Sequence, residues 1–134
     1  MKKLIVLALC LALVLALAAC GKAKSGGAAA PVINAAEAKA LIDEGGITLV
    51  DVRRQDEYDA EHIEGAILVT LDTIGKTQPE ALPDLDAEIL VYCRTGVRSA
   101  QAAQALVDIG YTNVKDMGGI TAWKEAGYPT VAGD

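Results

Sequence analysis

Apolar and polar positions change character twice along the chain. Leu4 to Ala19 is uninterrupted apolar sequence, and Gly21 to Pro31 is small and polar with no large apolar residue. From Val32 onward, short β-prone runs alternate with stretches of helical period. Val32-Ile33 predicts a short edge strand. Asn34-Ala-Ala-Glu37 is close to a capping box and predicts a helix through about Asp43, stopped by Gly45-Gly46. Ile47 to Val52 predicts a strand, Gln55 to Ala60 a helical turn, and Ile67 to Val69 a further strand. Leu71 to Asp86, with Pro79 and Pro83, reads as loop with one helical turn. Ile89 to Tyr92 is a buried strand, Ser99 to Ile109 an Ala-rich amphipathic helix, and Val114 to Met117 a last strand. Gly118-Gly119 turns into a helix over Ile120 to Glu125, which Gly127-Tyr-Pro129 ends. Strands alternating with helices through short connections predict an α/β fold: one domain, a central parallel sheet of about five strands, helices on both faces.

The first stretch changes where this domain is expected to work. Met1-Lys2-Lys3 and the apolar run have the form of an export signal, and sixteen residues fall short of the ~20 that a spanning helix needs. Leu17-Ala18-Ala19-Cys20 resembles the lipobox of bacterial lipoproteins, in which the cysteine is lipidated and becomes the new N-terminus. Residues 1–20 are therefore read as a signal removed before Cys20, residues 21–31 as a flexible tether, and residues 32–134 as the domain. The resemblance implies a lipid anchor in the cell membrane or outer membrane, with the domain facing the extracytoplasmic or periplasmic space. Cys10 would leave with the signal, and Cys93 would be the one thiol of the folded part. That leaves no partner for a structural disulfide and no Cys/His cluster for zinc.

Charge narrows the partners. All eighteen acidic residues lie after Val32, with eight of the twelve basic ones, so the domain's formal charge is −10. Nucleic acid is disfavoured as a ligand, because its phosphates would be repelled. Against that acidic body, Cys93-Arg94-Thr95-Gly96-Val97-Arg98 is a local exception. A buried strand delivers Cys93 to the carboxyl end of a parallel sheet, where ligands bind in such folds. The following helix directs its N-terminal amides and positive dipole end at the same point. Those fields favour a thiolate nucleophile at Cys93. Gly96 permits a backbone turn, and Arg94 and Arg98 supply positive charge for an anion in the cup.

Three motifs in order then resemble the rhodanese family, across Val32 to Pro129. Leu49-Val-Asp-Val-Arg53, with Glu57-Tyr58 and His62-Ile-Glu-Gly-Ala66, looks like its N-terminal signature. Cys93 to Arg98 looks like its active loop; Gly118-Gly119, Trp123 and Gly127-Tyr-Pro129 look like its C-terminal signature. The family often has Gly-His-Ile-Pro-Gly-Ala where this chain has Glu61-His-Ile-Glu-Gly-Ala. The resemblance implies a sulfurtransferase. Cys93 would take sulfane sulfur from a small anionic donor such as thiosulfate, with Arg94, Thr95, Gly96, Val97 and Arg98 cradling the persulfide. The sulfur would pass to a thiol or other thiophilic acceptor, a protein dithiol included. No metal or organic cofactor is called for. Asp51, Arg53, His62, Gly118, Gly119 and Trp123 are assigned structural roles. A phosphatase or arsenate-reductase chemistry is the rival enzyme class, but such cradles hold five residues between cysteine and arginine, and here there are four. A sulfur carrier or partner-docking module of the same fold would keep the same cysteine.

Overall fold

The computed structural model describes residues 28–133. The expected export signal, Cys20 and most of the expected tether lie outside them. Four parallel strands form the sheet: β1 (Thr48–Asp51), β2 (Ile67–Leu68), β3 (Ile89–Cys93) and β4 (Val114–Gly119), in the order β2-β1-β3-β4. Helix α1 (Ala35–Glu44) precedes β1, α2 (Gln55–Ala60) joins β1 to β2, a short 3₁₀ turn (Leu71–Thr73) lies between β2 and β3, α3 (Val97–Asp108) joins β3 to β4, and α4 (Ile120–Glu125) follows β4. The fifth strand expected at Val32-Ile33 is reduced to one parallel bridge, Val32 to Asp116. Pro31 has no N–H for a ladder, and Asn34 already caps α1, so too few residues remain to pair. Around the bridge, Ile33 N–H donates to the Asp116 carbonyl (2.9 Å) and Asp116 N–H to the Pro31 carbonyl (2.9 Å).

Alternation along the strands builds two cores. Val50, Ile89, Val91, Cys93 and Val114 point to one face and pack on Ala102, Ala103 and Leu106 of α3. Those α3 residues, with Ser99, recur at helical spacing, so one face of the Ala-rich helix can approach the sheet closely. Leu49, Leu90, Tyr92 and Met117 point to the other face and meet Ala38 of α1 and Ile120 and Trp123 of α4. Both faces of the sheet are thus covered, the condition a parallel sheet requires. Asn34 caps α1 as its sequence predicts: its side chain accepts from Glu37 N–H (2.9 Å), and the Glu37 carboxylate accepts from Asn34 N–H (2.8 Å).

One irregularity positions the site. Ile89, Leu90 and Val91 pair in step with Val114, Lys115 and Asp116, but Cys93 pairs with Gly119, so β4 carries one extra residue. Gly118, at φ +80°, occupies that bulge. The last strand therefore runs two residues beyond Met117 and lays Gly119 alongside the loop after Cys93.

Candidate active site

Cys93 ends β3 and is 1 % exposed. The chain then turns through Gly96, whose φ of +105° lies in the left-handed region open to glycine, and enters α3 at Val97. That start is two residues earlier than the sequence predicts, and it tightens the loop. Gly96 N–H donates to Cys93 Sγ at 3.0 Å. A donor directed at sulfur, at the amino end of a twelve-residue helix, is the polarity that an anionic sulfur requires.

Three contacts hold this loop against β4 and α4. Ser99, fully buried, donates its hydroxyl between the Gly96 carbonyl (3.1 Å) and the Gly118 carbonyl (3.2 Å). Thr121 N–H donates to the Arg94 carbonyl at 3.2 Å. Gly119 fits under the loop only because it has no side chain. A Cβ there would overlap the Arg94 carbonyl oxygen and stand 2.7 Å from the Arg94 carbonyl carbon and Thr95 Cα. All three are backbone atoms, so the loop itself would have to move. Gly119→Ala is expected to cost about 1–3 kcal/mol in urea unfolding, the usual range for over-packing. A variant as stable as the parent would show that the loop does not rest on β4.

The two loop arginines have different surroundings. Arg94 is exposed, as are Thr95 and Val97. Arg98, in contrast, is committed to a bidentate pair with Glu57 of α2 (Nη1–Oε2 2.7 Å, Nη2–Oε1 2.8 Å). Of the two arginines expected to supply positive charge for an anion, Arg98 is thus engaged by a carboxylate, and Arg94 is in no ion pair among the described residues. Glu57 lies 41 residues from Arg98, and only the packing of α2 beside α3 brings them together. The guanidinium of Arg98 holds the Glu57 carboxyl well below its ordinary 4.5, at about 2. The native state thus binds fewer protons than the unfolded chain between those values. The pair's stabilisation is complete above pH 4.5 and is lost as pH falls towards 2. In urea titrations at a series of pH values, the stability gap between the parent and Glu57→Gln should narrow through that window. A gap independent of pH would contradict the assignment.

The N-terminal motif residues form a scaffold behind the cysteine. Asp51 is wholly buried, and Arg53 is 5 % exposed. The Asp51 carboxylate accepts from Arg53 N–H (2.9 Å), Nε (3.0 Å) and Nη2 (2.7 Å), and Nη2 also donates to the Glu61 carbonyl (2.6 Å). The Arg53 guanidinium stands 5.7 Å from the ring centroid of Tyr92, the residue before Cys93. Burial works against the charged guanidinium, but the hydrogen bonds and charge of Asp51 outweigh it, and the Arg53 pKa is raised. Burial, with Asp51 nearby, also pushes the Tyr92 phenol up; its hydroxyl accepts from Ile63 N–H (3.0 Å). His62 stacks on Tyr58 (centroids 3.9 Å apart), its Nδ1 meets the Tyr58 carbonyl (2.8 Å), and its backbone bridges to Val131. Trp123 is buried and donates Nε1–H to the Pro129 carbonyl (2.9 Å). Asp51, Arg53, His62 and Trp123 therefore tie backbone segments together, while Gly118 and Gly119 support the loop. Glu57, Ser99 and Thr121 were not singled out from the sequence. Only Glu57 left a trace there, within the Glu57-Tyr58 motif.

With this geometry in place, comparison with known proteins is informative. Residues 34–126 match the rhodanese-like domain family. Thiosulfate sulfurtransferase PspE of Escherichia coli is 37 % identical over 84 residues, covering 63 % of this chain and 78 % of that protein. Thiosulfate sulfurtransferase GlpE of Coxiella burnetii is 36 % identical over 99 residues, covering 73 % of this chain and 90 % of the relative. The solved rhodanese-like domain from Anabaena sp. superposes with a TM-score of 0.69 at 28 % identity, covering 76 % of this chain and 79 % of that one. A parallel sheet ending at an arginine-flanked cysteine, with a family match across most of the domain, leaves one conclusion: the chain belongs to the rhodanese-like family.

Proposed function

We propose that this protein is a sulfurtransferase that carries sulfane sulfur on Cys93 from a donor such as thiosulfate to a thiophilic acceptor. The single observation that carries the reading is Cys93 Sγ at the end of β3, receiving Gly96 N–H at the amino end of α3. Arg94 provides exposed positive charge beside it on an otherwise acidic domain, which favours approach of a small dianion. Because Cys93 is 1 % exposed, access of the donor requires the side chains around it to shift. The Cys93 thiolate attacks the outer sulfur of thiosulfate; the sulfur–sulfur bond breaks and sulfite leaves with the electron pair. Loop amides hold the terminal sulfur of the resulting persulfide as an anion. An acceptor nucleophile then takes that sulfur, and Cys93 departs as thiolate.

Intact-mass measurement tests both halves. Thiosulfate should add one sulfur atom to the chain, and cyanide or a dithiol should remove it. No gain in mass would defeat the reading, whereas a gain that no acceptor discharges would make the protein a sulfur carrier.

The proposal includes a place in the cell. The basic start, the apolar Leu4 to Ala19 and the Leu17-Ala-Ala-Cys20 sequence support lipidation of Cys20 and membrane anchorage outside the cytoplasm. The segment entering the domain runs parallel to β4 and meets it at Asp116. It thus approaches from the end of the sheet opposite Cys93, an arrangement suited to a site facing away from its anchor.

A further inference from the structure

We propose that the groove between Arg54 and Asp72, beside the cysteine loop, is the acceptor subsite. It would select a low-molecular-weight thiol with a free α-amino-acid head group, the carboxylate on Arg54 and the ammonium on Asp72. This rests on the sulfurtransferase reading and adds to it the class of acceptor.

The distribution of arginine first draws attention to this end of the molecule. All four arginines of the chain follow β1 or β3 (Arg53, Arg54, Arg94, Arg98), and every other basic residue is lysine. Two of them are already committed, Arg53 to Asp51 and Arg98 to Glu57. Arg54 is not committed in the same way. Its side chain is 72 % exposed, and its nearest partner is Asp56, itself 71 % exposed, at 3.1 Å; Glu57 is 3.9 Å away. A pair so open to water is weak, and the planar guanidinium keeps donors in a geometry that matches a carboxylate.

Arg54 lines a groove of about 460 Å³, together with Val52, Arg53, Thr70, Leu71, Asp72 and Arg98. That volume is ample for an amino-acid-sized molecule. Val52 and Leu71 give it apolar surface, and Asp72 from the 3₁₀ turn adds an exposed carboxylate that belongs to no ion pair among the described residues. With Arg53 and Arg98 neutralised by Asp51 and Glu57, Arg54 and Asp72 are the cation and the anion left to face a ligand, and with the apolar surface they complement a zwitterion. The sulfur donor, a pure anion, has no use for Asp72, and a cysteine inside a protein chain has neither head-group charge.

The groove borders the end of the sheet that carries Cys93. Val52 shares an apolar cluster with Cys93, and its N–H donates to the Tyr92 carbonyl (3.1 Å), one residue before the cysteine. Arg98, which lines the groove, stands in the first turn of α3, two residues after Gly96. A thiol seated there attacks the outer sulfur of the Cys93 persulfide. The new bond joins the two sulfurs, the old bond to Cys93 Sγ breaks, and Cys93 leaves as thiolate; no outside oxidant or reductant takes part.

Discharge of the loaded protein can be timed with cysteine, cysteine methyl ester and N-acetylcysteine, for the parent, Arg54→Gln and Asp72→Asn. Loading by thiosulfate is confirmed by mass in each protein first, so a failure to load counts against the sulfurtransferase reading, not against the groove. Dividing parent by variant rates for each thiol cancels its intrinsic reactivity. Arg54→Gln should slow cysteine and N-acetylcysteine about tenfold, the scale of one charge-assisted hydrogen bond, and spare the methyl ester. Asp72→Asn should slow cysteine and its methyl ester and spare N-acetylcysteine. Parent-to-variant ratios that are the same for all three thiols would overturn the proposal.

Discussion

Replacing Cys93 with serine is expected to abolish sulfur loading from thiosulfate and to lower turnover by about a thousandfold or more. Serine is close to isosteric, so the fold should survive and the loss should be chemical. Among the described residues, no side chain hydrogen-bonds Cys93 as a general base would have to bond a serine hydroxyl there. Ser99 donates to two carbonyls, and the His62 ring is stacked on Tyr58 with Nδ1 held by a carbonyl of its own helix neighbourhood. The charges that would stabilise an anionic sulfur also meet a group too weakly acidic to ionise near neutral pH. Intact-mass loading and sulfite release are the measurements. Retention of even a tenth of the parent's thiosulfate-dependent sulfite release would place the sulfur-bearing nucleophile elsewhere.

The largest loss of stability is expected from Asp51→Ala. It would strand the Arg53 guanidinium at 5 % exposure, with the Glu61 carbonyl, the face of Tyr92 and the more distant charge of Glu57 in place of a bonded carboxylate. Breaking one side of a buried ion pair costs about 3–5 kcal/mol, because the remaining charge stays desolvated and unpaired. Urea unfolding of the single variant should show a loss of that order. Replacing both partners with apolar residues of similar volume, Asp51→Leu with Arg53→Met, should recover much of it, since no buried charge then remains. A single variant losing less than about 1 kcal/mol, or a double variant no better than the single, would remove the pair from its place in the scaffold. The consequence reaches the site through Tyr92, whose carbonyl accepts Val52 N–H and whose chain continues directly into Cys93.

In the proposed chemistry these two residues separate what reacts from what holds the reacting group in place. Cys93 takes its chemical surroundings from local structure, the adjacent Gly96 amide and the helix that follows. Its position comes from long-range packing. The buried Asp51–Arg53 pair lies behind it, Ser99 and Thr121 tie its loop to neighbouring elements, and Gly119 leaves room for that loop. The loop is therefore supported on the β1 side by ion pairs and on the β4 side by a close backbone approach that only glycine permits.

Features written in neighbouring residues were legible in the sequence. The Asn34–Glu37 capping box, the helices at Gln55–Ala60 and Ile120–Glu125, and the strand delivering Cys93 all depend on contacts a few positions apart or on simple alternation. Such signals survive in one dimension because the partners are close in the chain. The Arg98–Glu57 pair spans 41 residues, and the Ser99–Gly118 bond spans 19. Neither follows from local pattern. The extra residue at Gly118 is decisive for Gly119, because without that bulge the register of β4 would place a different residue beside Cys93. By itself, then, the sequence determined the parallel α/β alternation and the identity of the sulfur-bearing candidate. Only the tertiary structure decided which loop arginine is paired, what supports the loop, and how far the edge strand extends, because each is fixed by sheet register and by the approach of elements distant in the chain.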